Sequence, residues 1–362
     1  TASVWTPAEG DTLCDFAVHA DGTVSALLAR ADGYAVTRWR GQGPAEPPRV
    51  LADPDIARDP DVRRFASTPA ALRPPDRTHD TGRIAAVGDE VVVAVRTVSH
   101  SVVAYRLRFE GAQVERRWRV LVEPGFDLLP VFLISGSYDT FGQLVSPYRL
   151  QLGVDRNGAA LVAVSTMWTA ELFEAHNAAF GERLHAVGDP SGASNPVAKD
   201  VIVTGLSADG RRLHATVVGT DLPDEPYGLR VFGDTAYLVG RTEITNTPRG
   251  FAGFLATIGI TTGAARVSTH DLMPPQVFFD VVALADGRIV AVGGGGYEDN
   301  PRGASISEAC QPLAAVLDAD RARASPFALP PGPRHSHARV VFSVADRLFV
   351  GGQHDGPGTH EI

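Results

Sequence analysis

Residues 279–294 read FDVVALADGRIVAVGG, an apolar run, a tight Ala-Asp-Gly turn, and a second apolar run. Two extended segments joined by so short a turn form an antiparallel hairpin. Both runs are apolar almost without interruption, so both faces of the hairpin must be covered. The pattern returns as CDFAVHADGTVSALLAR from Cys14, GRIAAVGDEVVVAVRT from Gly82, YRLQLGVDRNGAALVAVS from Tyr148, YGLRVFGDTAYLVGRT from Tyr227 and ARVVFSVADRLFVGGQ from Ala338. One such hairpin cannot bury its own apolar faces, and the copies must therefore pack side by side around a common axis. The spacing predicts an all-β chain, a single β-propeller domain over residues 1–362, with six four-stranded blades. Only six hairpins of this kind can be found; a seventh blade would have to be concealed in the stretch from Val131 to Gly142.

The quoted hairpins supply the two inner strands, a and b, of each blade. More polar pairs follow as c and d: YAVTRWR from Tyr34 with PPRVLA from Pro47, SVVAYRLRF from Ser101 with VERRWRVLV from Val114, and FAGFLATIG from Phe251 with AARVSTHDL from Ala264. The third and fifth blades carry insertions, at about 168–199 and 294–311. In the first, Leu172, Phe173, His176, Ala179 and Phe180 fall at helical spacing and predict a short amphipathic helix. The sixth blade runs out of chain: after Val350 only Gly351 to Ile362 remain, enough for a b–c loop and one short strand, THEI. The expectation is that Ala2-Ser3-Val4-Trp5 supplies the missing outer strand, closes the ring and removes an exposed sheet edge.

Apolar residues make up 44% of the chain and charged residues 21%, ample material for a core. A formal net charge of −9, with no cationic cluster longer than the pair Arg116–Arg117, excludes nucleic acid as the expected partner. No apolar run approaches the length of a membrane-spanning helix. Lys199 is the only lysine, a composition typical of high-GC bacterial genomes. The chain begins at Thr1 with neither Met nor a signal segment, as a processed exported chain would, and the expected location is secreted or periplasmic. Two cysteines, Cys14 and Cys310, make no disulfide framework, and two buried free thiols are expected.

Between Asp200 and Leu272 the chain resembles the bacterial β-propeller repeat family abbreviated SBBP. The residues that carry the resemblance are Leu206-Ser207-Ala208-Asp209-Gly210, Val218-Gly219, Asp224-Glu225-Pro226-Tyr227-Gly228-Leu229 and Tyr237-Leu238-Val239-Gly240-Arg241-Thr242. They cover about one blade well and the others weakly. The resemblance implies the propeller fold and an exported bacterial setting, and it carries no catalytic residues.

Loop length separates the two faces of the ring. The a–b and c–d turns are uniformly tight, whereas the b–c and d–a connections are long in most blades, including 53–80, 123–147, 168–199 and 294–311. Long loops on a rigid scaffold are where binding and catalysis sit. Eight of the eleven histidines fall in or beside that face. His79, His270, His335 and His337 form the candidate metal set, suited to a divalent ion, Zn or Ca. Asp80 and Asp271 beside them are the candidate catalytic bases. Trp168, His176, Tyr227 and Tyr297 are the candidate ligand-binding residues. The favoured expectation is a binding propeller for a small molecule, glycan, peptide or protein partner. The alternatives are a metal-dependent hydrolase or lyase built on those histidines, and an assembly role for a flat face.

Overall fold

The computed structural model describes residues 7–8, 10–30, 33–41, 45–51, 82–96, 101–111, 113–124, 149–167, 176–181, 184–188, 199–220, 224–243, 251–296, 310–318, 323–327, 329, 336–344 and 347–354. Blade one is β1 (Thr12–Val18), β2 (Thr23–Arg30), β3 (Gly33–Arg40) and β4 (Arg49–Val50), paired in that order. Blade two is β5 (Gly82–Val87), β6 (Glu90–Arg96), β7 (Val102–Glu110) and β8 (Gln113–Glu123). Blade three holds β9 (Leu150–Val154), β10 (Ala160–Met167), β11 (His185–Gly188), β12 (Lys199–Leu206) and β13 (Arg212–Gly219). Blade four is β14 (Asp224–Phe232), β15 (Thr235–Glu243), β16 (Phe251–Gly259) and β17 (Ala265–His270). Blade five is β18 (Gln276–Ala283), β19 (Ile289–Gly295), β20 (Gln311–Leu317) and β21 (Ala324–Phe327). The sixth sheet pairs β22 (Ser336–Val344) with β23 (Arg347–His354).

All six expected a–b hairpins are therefore present. Their inner strands stand beside one another in chain order: β1 against β5, β5 against β9, β9 against β14, β14 against β18 and β18 against β22. Successive up-and-down sheets with neighbouring inner strands are the arrangement of a β-propeller. Glycines in the left-handed region make the tight turns possible, as at Gly22 (φ 81°) and Gly287 (φ 84°).

The core lies between blades, as a repeat that cannot bury its own faces requires. Leu27, Tyr34 and Val36 of blade one pack with Ile84, Val93 and Tyr105 of blade two. Leu161 and Val203 of blade three pack with Leu229 and Phe254 of blade four, and Tyr237 and Leu255 with Phe278 and Leu313 of blade five. Each such side chain removed from water contributes about 1.5–3 kcal/mol. Trp118 on β8 spans a further junction, its indole Nε1 donating to Ala208 O at 3.0 Å in the c–d turn of blade three. The two ends of the series differ from the middle. Phe16 and Val18 on β1, and Phe342, Leu348, Phe349 and Val350 in the sixth sheet, remain exposed.

In the insertion of blade three, residues 176–180 are helical and include His176, Ala179 and Phe180 of the expected helix, while Leu172 and Phe173 lie outside the described residues. β11 pairs parallel with β13, which makes this sheet five-stranded in the order β11-β13-β12-β10-β9. Cys14 and Cys310 are both buried thiols not joined in a disulfide, as expected. Among the described residues no helix is long and apolar enough to cross a membrane. The N-terminal segment Ala2-Ser3-Val4-Trp5, the final THEI and the stretch from Val131 to Gly142 lie outside the described residues.

Candidate functional site

The inner strands of blades four, five and six share an irregularity. Pairing skips one residue between Pro226 and Gly228, between Phe278 and Asp280, and between Ala338 and Val340. Each skip is a β-bulge, which bends the strand and re-aims the extra side chain. The bulged residues Tyr227, Phe279 and Arg339 are each the fourth of their strand, close to the long-loop end. Opposite the residue before each bulge stands a glycine: Gly240, Gly293 or Gly352. A Cβ on these would collide with the carbonyl oxygen of Glu225, Val277 or His337 respectively. The bulge and its glycine are thus one device. β1 has its own bulge at Cys14, but that side chain is buried in the core, and the residue before it, Leu13, stands opposite Leu28 rather than a glycine.

The re-aimed side chains meet from blade to blade. The Tyr227 and Phe279 rings lie edge to face with centroids 5.2 Å apart. The Arg339 guanidinium sits 4.1 Å above the Phe279 centroid, and the His337 ring is 5.5 Å from the same ring. On the other side, Arg149, just ahead of β9, places its guanidinium 3.9 Å from the Tyr227 centroid. The result is a half-buried row running Arg149, Tyr227, Phe279, Arg339 across four blades. Each cation over a ring contributes about 0.5–1 kcal/mol at such partly exposed sites.

Glu225 anchors one end of the row. It is 7% exposed and accepts from Arg241 Nε at 3.0 Å and from the Tyr227 hydroxyl at 3.1 Å, with Arg149 Nε 3.7 Å away. Arg241 in turn lies over the Phe251 ring at 4.2 Å. The Arg149 and Arg241 guanidinium groups both approach the Glu225 carboxylate, and Arg339 stands at the far end of the row.

The residues that open the inner strands hold the preceding connection. Gln276 Oε1 accepts from the Leu272 and Met273 amides, both at 2.7 Å, and its Nε2 donates to His270 O at 2.7 Å. Asp224 occupies the same place in blade four and accepts from the Thr220 amide at 2.6 Å. A second carboxylate faces it from β12. Asp200 has no exposed surface, and neither of its oxygens has a hydrogen-bond partner. Burial, with the Asp224 charge adding to it, pushes Asp200 up to about 8 from an ordinary 3.8.

The sequence-derived candidates fall as follows. Tyr227 lies in the row, and His337 flanks it with Nδ1 3.5 Å from Cys310 Sγ. His270 is buried at the end of β17, its Nε2 3.0 Å from Ser268 Oγ, and burial alone holds it below the ordinary imidazole range. His337 opens the sixth sheet, so the two rings belong to separate neighbourhoods. Asp271 is exposed beside His270. His176 has no exposed surface: its Nδ1 is 3.1 Å from Glu123 Oε2 of blade two and its Nε2 3.2 Å from Arg212 Nη2 of blade three. Its ring meets protein on both sides and ties two blades together. His79, Asp80, Trp168, Tyr297 and His335 lie outside the described residues. Among the described residues no group of three or more His, Cys, Asp or Glu side chains is disposed to hold a metal ion.

No protein-family model matches the chain, and no curated protein matches it. Solved structures do. A candidate 6-phosphogluconolactonase of Bacteroides uniformis is 13% identical with a TM-score of 0.48, the match covering 96% of this chain and 79% of that one. The β-propeller domain of the Trilobed protease of Pyrococcus furiosus is 7% identical with a TM-score of 0.45, covering 96% and 80%. The WD40 domain of SCAP from fission yeast is 8% identical with a TM-score of 0.38, covering 96% and 74%. Likeness at these levels assigns no function to this chain.

Proposed function

We propose that the chain is a ligand-binding propeller that takes an acidic glycan on the long-loop ends of its inner strands. The observation that carries this reading is the continuous row Arg149, Tyr227, Phe279, Arg339, in which aromatic faces alternate with guanidinium groups. A sugar ring presents an apolar face to an aromatic side chain, and its carboxylate or sulfate pairs with a guanidinium. Glu225 fixes Arg241 and the Tyr227 hydroxyl, so part of the row is positioned before a ligand arrives, and less ordering is left for binding to supply.

The ring in this reading has six blades and closes between the sixth sheet and blade one. Its support is that the two ends expose apolar faces of matching character, Phe16 and Val18 on one and Phe342, Leu348 and Phe349 on the other. An exported bacterial setting belongs to the same reading and is supported by the repeat-family residues between Leu206 and Thr242.

The test is a glycan array carrying uronic, sialylated, sulfated and neutral oligosaccharides, followed by titration of the best binder into wild type, Arg149→Gln and Phe279→Leu. Acidic glycans should bind and neutral ones should not, and each variant should weaken binding about tenfold, the equivalent of about 1.4 kcal/mol. Equal binding of neutral and acidic glycans, no glycan binding at all, or variants that bind like wild type would each reject the proposal.

A further inference from the structure

Arg230 lies on β14 beyond Tyr227, further from the long-loop end than the row. Its side chain is 51% exposed, although inner strands of the neighbouring blades flank β14 on both sides. A half-exposed side chain in such a place has only the inner side of the ring open to it, so Arg230 faces the axis. Its Nε donates to Asp280 Oδ1 at 2.9 Å and its Nη2 to Asp280 Oδ2 at 3.0 Å. Asp280 directly follows Phe279, and one strand residue rises about 3.3 Å. The guanidinium is therefore held about one residue below Phe279, as a floor to the row.

Charge distinguishes this floor from the row. Asp280 neutralises Arg230 through two bonds, and its own side chain is only 6% exposed, closed to a ligand. Hydrogen bonding to Asp280, with the Asp280 and Asp15 charges adding to it, holds Arg230 above the ordinary guanidinium range. Asp15 comes from β1 of blade one, where it accepts the Ile84 amide at 3.0 Å. Two carboxylates thus act on one guanidinium, and a ligand anion placed here would meet their repulsion. A guanidinium carries five N–H groups, of which Asp280 takes two. The others suit a neutral acceptor, such as a hydroxyl or ring oxygen of a sugar.

We infer that Arg230 determines specificity by binding a neutral sugar at the end of the ligand chain, while the acidic units behind it lie along the row. This rests on the acidic-glycan reading above. The inner strands enclose the floor on its sides, so a chain reaches Arg230 end-on. A hydrogen bond from a charged donor to the terminal unit discriminates about tenfold between chains that carry that unit and chains that lack it.

A glucuronate oligosaccharide, and the same chain extended by one terminal galactose, are titrated by calorimetry into wild type, Arg230→Met and Arg149→Gln at low and high NaCl. Wild type should bind the galactose-capped chain about tenfold more tightly, in a ratio independent of salt because the added unit is uncharged. In Arg230→Met, with folding checked by circular dichroism, the ratio should fall to about one. Arg149→Gln should weaken both chains and keep the ratio. Should Arg230→Met fail to fold, the wild-type ratio decides alone. Equal binding of the two chains to wild type, a ratio that collapses in high salt, or a folded Arg230→Met that keeps the ratio would overturn this inference and leave the acidic-glycan reading standing. Binding of neither chain would overturn both.

Discussion

Asp280 is where the connection between blades can be weighed most directly. It follows the bulged Phe279, is 4% exposed, and accepts the Val341 amide of the sixth sheet at 3.0 Å. From blade four, Arg230 reaches it with Nε at 2.9 Å and Nη2 at 3.0 Å. One carboxylate thus joins three blades. Its replacement by Ala leaves the buried Val341 N–H without an acceptor and removes a charge-assisted bond, a loss of about 1.5–3 kcal/mol. The Arg230 side chain is 51% exposed, so solvent screens its ion pair, which adds only about 0–1 kcal/mol. Asp280→Ala should therefore cost about 3 kcal/mol, and Arg230→Met no more than about 1 kcal/mol, both read by equilibrium urea unfolding. Asp280→Asn should fall between them, because its amide oxygen still accepts from Val341. The reasoning is refuted if Asp280→Ala costs less than about 1 kcal/mol, or if Arg230→Met costs as much as Asp280→Ala.

Two further expectations are open to the same measurement. Burial lowers the pKa of His270, so as pH falls below about 6.5 the unfolded chain takes up its proton first. The corresponding stability is complete above that pH and is lost as pH drops toward the folded value. The loss between pH 7 and 5 should shrink in His270→Gln, and an unchanged loss would remove His270 as its source. If the ring closes as proposed, Phe16→Ser and Phe342→Ser should each cost on the order of 3 kcal/mol, as for buried aromatics. Changes within about 0.5 kcal/mol, as at open surface, would show that these faces stay apart.

The a–b hairpins were legible because apolar runs broken by Asp-Gly turns have few alternative readings. The bulges were legible in principle and were missed. Their signal stands on the opposite strand, in Gly240, Gly293 and Gly352, three interruptions of apolar runs that mark a close backbone approach. Tyr227 was singled out as a ligand residue, but Phe279 and Arg339 passed as ordinary strand positions, since a one-residue slip leaves the apolar pattern looking intact. Arg149, Glu225 and Arg241 sit at strand ends, where charged residues usually mean a solvated terminus. β11 was hidden for another reason: its pairing with β13 joins segments far apart in sequence, and no local period reports that. Asp200 read as a polar residue opening an outer strand. Its burial exists only once Gly219 and Asp224 are placed around it.

The bulge-and-glycine device separates what a blade must keep from what it may change. In blades four, five and six the ladder on either side and the glycine across from it fix the backbone, while the extra residue takes no part in the pairing. Tyrosine, phenylalanine and arginine already occupy that one position in three successive blades. Each of these three blades thus offers an interchangeable socket, and a row of sockets can be rewritten one side chain at a time at little cost to the frame. A designer seeking a new specificity on this scaffold would begin by randomising residues 227, 279 and 339 and leave their glycines untouched.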